Sequence, residues 1–269
     1  MRIHDGAYGT LLGSHLHGDE TVDDLCLRAP QLVVDAHRAY LEAGAGAIQT
    51  NAFLVHLRGS ERRRRELRTA ALACAREAAA TADVEEGAPL VVATIGPDGG
   101  GEERAFWEPI EQALDAEARA VLCETVTDAK TARAFAAAWR EVAAGVRDVE
   151  VLLGCSVSPS AGAEACRWTT ELAGELDDAI QLGLNCCEGP LGLRPVLEAI
   201  AEERGTTWAM PSAGLPVAGG PGEEPVRWPF AAPADWVEAT LEAIDDLPVA
   251  ALGGCCGTSP DTIAALRSP

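Results

Sequence analysis

The feature that narrows the fold of this sequence furthest is an alternation, eight times over, of a short apolar run with a longer stretch of helical periodicity. The strand-like runs fall at residues 2–4, 47–50, 90–95, 120–123, 149–155, 179–184, 206–210 and 248–252. The helical stretches fall at 31–43, 60–81, 108–118, 128–144, 164–174, 193–203, 233–245 and 260–267. Regular strand–helix alternation implies a parallel sheet with crossover helices, an α/β architecture. Eight units within 269 residues suit a (β/α)8 TIM barrel. Periodicity does not show closure, so an open doubly wound sheet is the alternative. No repeat, linker or change of composition divides the chain, and 1–269 reads as one domain. The Gly/Pro-rich stretch 211–233 is expected to form a loop over the barrel mouth.

Charge and cysteine usage limit the function. The formal net charge is −21, which disfavours nucleic acid and anionic membrane surfaces as partners. No apolar stretch reaches the length of a membrane span. The N-terminal residues enter strand-like sequence at once, so no signal peptide is expected. Nine cysteines without a secretory leader suggest a reducing, cytoplasmic location, where thiols serve metals or catalysis. The basic run at 62–65 lies at the start of a helical stretch between Glu61 and Glu66 and reads as a solvated helix face.

In a barrel, the residues just past each strand converge on the C-terminal rim, where active sites are built. Asp5 follows the first strand, Asn51 the second, Glu124 the fourth, Cys186 the sixth, and Cys255 and Cys256 the eighth. Three thiolates meeting there would hold Zn2+ and leave its fourth position open, the mark of a zinc that does chemistry. Adjacent side chains on a strand point to opposite faces. Cys255 and Cys256 can share a metal only if the backbone leaves strand geometry, which Gly253, Gly254 and Gly257 would permit. A thiol bound at the open position would lose its proton yet stay electron-rich, because three thiolates already quench the Lewis acidity of the metal. Asp5 and Glu124 on the same rim make an anionic pocket for an ammonium group. Gly6, Ala7 and Asn51 would offer hydrogen bonds to a carboxylate. Together these suit an amino acid bearing a thiol. Cys26, Cys74, Cys123, Cys155 and Cys166 sit singly and read as small buried hydrophobes, and Cys187 as structural.

Six motifs in order, Asp5-Gly-Ala-Tyr-Gly-Thr10, Gln49-Thr-Asn-Ala-Phe53, Ile95-Gly-Pro97, Glu124-Thr125, Gly183-Leu-Asn-Cys186 and Gly253-Gly-Cys-Cys-Gly-Thr258, resemble the homocysteine S-methyltransferases. The resemblance implies a (β/α)8 barrel with zinc on Cys186, Cys255 and Cys256. It also implies Asp5 and Glu124 on the homocysteine amine, and SN2 attack of the zinc-bound thiolate on an activated methyl group. The donor is expected to be a small sulfonium, S-methylmethionine or S-adenosylmethionine, and the acceptor homocysteine or a close thiol or selenol analogue. Two alternatives stand beside this: the same acceptor with a methyl group from a separate corrinoid or folate protein, and a zinc or thiol binder without catalysis. A homodimer is an open outcome, since barrels of this type often pair. Three departures from the family pattern surround the mouth: Tyr8 replaces a common Met, Val126 an aromatic residue, and 97–107 is a shortened loop; elsewhere Ser212 replaces an Asn.

Overall fold

The apolar runs become strands buried on both faces. In the computed structural model, which describes residues 1–82, 87–97, 100–161, 163–218 and 226–267, eight of them form one parallel sheet. In chain order they are β1 (Arg2–Ile3), β2 (Ala47–Gln49), β3 (Leu90–Ile95), β4 (Ala120–Val126), β5 (Glu150–Cys155), β6 (Ile180–Cys186), β7 (Thr207–Pro211) and, after a two-stranded ribbon, β10 (Val249–Leu252). Their order in the sheet is β1-β10-β7-β6-β5-β4-β3-β2. The sheet closes on itself: His4 bridges Ala47 in parallel, Gly46 N donates to Ile3 O at 2.8 Å, and Asp5 N donates to Ala47 O at 3.1 Å. Closure removes the edges of an open sheet and decides for the barrel.

Side chains alternate across this wall. Ala47, Val92, Ala120, Leu122, Leu152, Trp208, Met210 and Ala251 form a core inside the barrel, while the outward set packs under the helices. Trp208 fills the axis and is fully buried. It fits because two strands carry glycine opposite it. A Cβ on Gly183 would lie 2.3 Å from Trp208 Cδ2, and one on Gly154 would lie 2.8 Å from Trp208 Cη2.

Each barrel strand is followed by a crossover or terminal helix: α3 (Pro30–Glu42), α4 (Glu61–Thr81), α5 (Arg104–Asp115), α6 (Ala129–Val142), α7 (Ala163–Glu175), α8 (Arg194–Arg204), α9 (Pro233–Ile244) and α10 (Pro260–Leu266). Two short helices, α1 (Tyr8–Leu12) and α2 (Leu25–Arg28), precede α3. The expected boundary at 108 moves, because α5 begins at Arg104 and carries Pro109 inside. The basic run lies on a solvated helix face, as expected, with its charges paired. Arg63 reaches Asp24 at 2.9 Å, and Arg64, Arg65 and Arg68 converge on Glu108 at 3.9, 3.5 and 3.0 Å. The stretch expected as a loop contains the ribbon, β8 (Val217–Ala218) antiparallel to β9 (Val226–Arg227). Residues 219–225 of that loop and 98–99 of the shortened one lie outside the described residues.

Candidate metal and thiol site

Backbone turns at two strand ends bring the sulfur atoms together. β6 ends on Cys186, which with Cys187 adopts left-handed φ values of 61° and 53°. The two neighbours therefore diverge. Cys187 is buried, and its Sγ accepts from Val157 N at 3.4 Å, while Cys186 faces the barrel mouth. β10 stops at Leu252, so Cys255 and Cys256 lie in the turn beyond it. Of the three glycines expected to free that turn, only Gly257 uses a positive φ, 81°. Gly253 and Gly254 are needed for close approach instead. Cβ atoms there would meet His4 Cβ at 2.7 Å and Thr258 Oγ1 at 2.3 Å. Thr258 fastens the turn through Oγ1 to Cys255 O at 2.7 Å.

The Sγ atoms of Cys186, Cys255 and Cys256 all lie within 4.8 Å of one another, with Cys186 and Cys256 at 3.8 Å. Tetrahedral zinc with Zn–S near ~2.3 Å sets its sulfur ligands about 3.8 Å apart, so the trio fits such an ion with sub-ångström adjustment. Hydrogen bonds from Cys186 and then Cys255 hold the Cys256 thiol far below its ordinary range. The same contacts push the Cys186 and Cys255 thiols above their ordinary range, so Cys256 is the thiolate of the three.

These sulfurs border a cavity of about 550 Å³. Gly6, Ala7, Asn51 and Glu124 also line it, together with Tyr8, Gln49 and Trp228. Asp5 does not; it is fully buried directly behind the wall. Its Oδ2 accepts from Tyr8 Oη at 2.5 Å and Gln49 N at 2.7 Å, and its Oδ1 from Gln49 Nε2 at 3.2 Å. Burial raises the Asp5 carboxyl to about 7 against the pull of those donors. Asn51 donates its amide to Val22 O at 2.7 Å, fastening the loop after β2.

Glu124 is half-buried at the end of β4. Burial first, then the charge of Cys256, raises it to about 8. It is aimed by Asn185, which sequence reasoning passed over inside its own motif. Asn185 is buried and donates Nδ2 to Glu124 Oε2 at 3.1 Å and to Thr125 Oγ1 at 2.9 Å, while its Oδ1 accepts from Thr125 N at 2.8 Å. Thr125 is β-branched yet sits at φ 57°, an unfavourable conformation that Asn185 holds in place. The signal was present: a lone Asn inside an otherwise apolar strand must find partners. Ser212 takes up the space beside Cys187, its Oγ 3.0 Å from Cys187 O and 3.2 Å from Gly214 O. Trp228 packs on the cysteine turn, where a Cβ on Gly257 would stand 2.4 Å from its Cδ2.

A family model described as homocysteine S-methyltransferase matches residues 2–268. The chain belongs to the homocysteine S-methyltransferase family. Two curated relatives are the methionine synthases of Mycobacterium leprae (strain TN) and Mycobacterium tuberculosis (strain ATCC 25618 / H37Rv). Both are 29% identical, over 98% and 97% of this chain and 24% of each relative. The chain thus spans about a quarter of the length of those proteins. Among solved structures, the metallated form of the homocysteine methyltransferase MmuM from Escherichia coli is similar with a TM-score of 0.73 and 21% identity. That match covers 100% of this chain and 96% of MmuM, and it supports the shared barrel. No helix among the described residues is long and apolar enough to cross a membrane.

Proposed function

We propose that this member of the family is a zinc-dependent S-methyltransferase that moves a methyl group from a small sulfonium donor to the sulfur of homocysteine or a close analogue. The observation that carries the reading is the trio Cys186, Cys255 and Cys256, whose spacing matches three corners of a zinc tetrahedron and whose fourth corner faces the cavity. A zinc ion held there would act as a Lewis acid that removes the proton of an acceptor thiol.

The protein's own residues then hold the reactants. Glu124 meets the acceptor ammonium in the cavity wall, with Asn185 fixing its carboxylate. Asp5 adds negative charge from behind Gln49 and Tyr8. Main-chain groups at Gly6 and Ala7 face the acceptor carboxylate, and Asn51 keeps the loop beside them in register. The acceptor sulfur attacks the donor methyl carbon in line. The carbon–sulfur bond of the sulfonium breaks, and its electron pair leaves with the neutral thioether. Trp228 and the ribbon residue Val226 also line the cavity. Three anionic sulfurs and one cation leave a net charge of about −1, which favours a cationic donor over a neutral one.

The test is direct. Zinc-loaded protein is incubated with homocysteine and either S-methylmethionine or S-adenosylmethionine, and the product is identified by mass. Methionine should form, and Cys255→Ser should lose both the metal and the turnover. Full turnover by metal-free protein would end this reading. A second reading, with the methyl group supplied by a separate corrinoid or folate protein, is motivated by the methionine synthase relatives, of whose length this chain matches about a quarter. Turnover only on adding such a protein would establish it.

A further inference from the structure

Tyr8 stands between the cavity and the deepest carboxylate of the site. Its side chain lines the cavity and is 8% exposed. Its hydroxyl donates to Asp5 Oδ2 at 2.5 Å. The same oxygen lies 2.6 Å from His37 Nδ1. A phenol has one proton, already directed at Asp5, so the imidazole N–H is the donor of this second bond. The ring is pinned edge-on by two neighbours, with centroids 4.6 Å from His37 and 5.4 Å from Tyr40. A side chain with its hydroxyl bonded on both sides and its ring clamped between two others does not swing aside cheaply.

Gln49 covers the rest of Asp5, giving it two donors from main chain and side chain. An ammonium group must displace Tyr8 or Gln49 to touch Asp5. To touch Glu124 it displaces neither, since that carboxylate already borders the cavity and is held from one side by Asn185.

We propose that Tyr8 is a specificity-determining residue: it seals Asp5 from the cavity, so that Glu124 alone contacts an acceptor's ammonium and a thiol lacking the amino group forgoes one carboxylate contact rather than two. Small mercaptocarboxylates then stand beside amino-acid thiols as weaker acceptors. The inference rests on the acceptor reading given above.

Calorimetric affinities of the zinc-loaded full chain for homocysteine and for γ-mercaptobutyrate, the same molecule without its amine, test it. One charge-assisted hydrogen bond separates the two ligands in the wild type, so the preference for homocysteine should lie between about tenfold and about 150-fold. Tyr8→Ala opens the way to Asp5 and should raise the preference at least about tenfold through tighter homocysteine binding. Tyr8→Phe keeps the ring in place and loses only the hydroxyl's two bonds, so its preference should move less than that of Tyr8→Ala. Glu124→Gln, with Tyr8 intact, should abolish it. A wild-type preference of about a thousandfold or more, or one unmoved in a folded Tyr8→Ala protein, would overturn the inference and leave the acceptor reading standing. Failure of both thiols to bind would bring down both.

Discussion

Replacing Asn185 with Ala removes three hydrogen bonds at once, two to Thr125 and one to the Glu124 carboxylate. Neutral bonds contribute about 1 kcal/mol each, and one to a charged group about 1.5–3 kcal/mol. Thr125, no longer held at φ 57°, can relax and return about 1–2 kcal/mol. The net loss is about 3 kcal/mol, which for a domain of this size lowers the melting temperature by about 6–12 °C. Function should fall further than stability. Glu124 loses the donor that orients it, so homocysteine affinity should weaken by about tenfold or more, whereas zinc content should be unchanged. Asn185→Asp separates the two effects. Its Oδ1 can still accept from Thr125 N, but its second oxygen faces Glu124, so binding should suffer more than melting. Thermal denaturation, zinc analysis and calorimetry on the same preparations measure all three quantities. If Asn185→Ala melts within about 2 °C of wild type and binds homocysteine as tightly, Asn185 does not position Glu124 and the reasoning fails.

Gly183→Ala should cost about 3 kcal/mol or more, seen as an earlier denaturation midpoint, because the new methyl meets both Trp208 Cδ2 at 2.3 Å and the immovable Trp208 O at 2.4 Å. Cys187→Ala should keep one zinc per chain by elemental analysis while Cys186→Ser loses it, since Cys187 Sγ points away to Val157 N; equal loss in both would contradict the divergence at the end of β6. Burial lowers His37 to about 3, so as pH falls from its ordinary value near 6.5 toward 3 only the unfolded chain gains that proton, and stability drops by up to about 1.4 kcal/mol per pH unit. Urea titrations between pH 4 and pH 6 should therefore give His37→Gln a shallower pH slope than wild type, and parallel slopes would refute the assignment.

The barrel was legible because parallel strands covered on both faces read as unbroken apolar runs, of which Leu90–Ile95 is an example. Closure was not legible, since it rests on a few main-chain hydrogen bonds around Ile3, Gly46 and Ala47. The ribbon was missed because Val217 and Val226 are exposed and two-residue strands leave no periodicity. The convergence of Cys186, Cys255 and Cys256 followed from their places after the sixth and eighth barrel strands, because topology brings strand ends to one rim. The depth of Asp5 did not follow. Chain position says which rim a carboxylate reaches, while its cover depends on Tyr8 and Gln49, side chains from two other segments. The arginines at 62–65 do lie on a solvated helix face; what the sequence did not show is that Asp24 and Glu108, on other elements, pair with Arg63, Arg64 and Arg65.

Trp208 has a consequence for traffic. With the buried indole filling the axis among the inward side chains, the barrel offers no channel through its axis, and two reactants that meet at the cysteines would share the mouth. On the proposed reading the acceptor would seat first, and steady-state kinetics should be ordered, with the donor as second substrate and its remnant as first product.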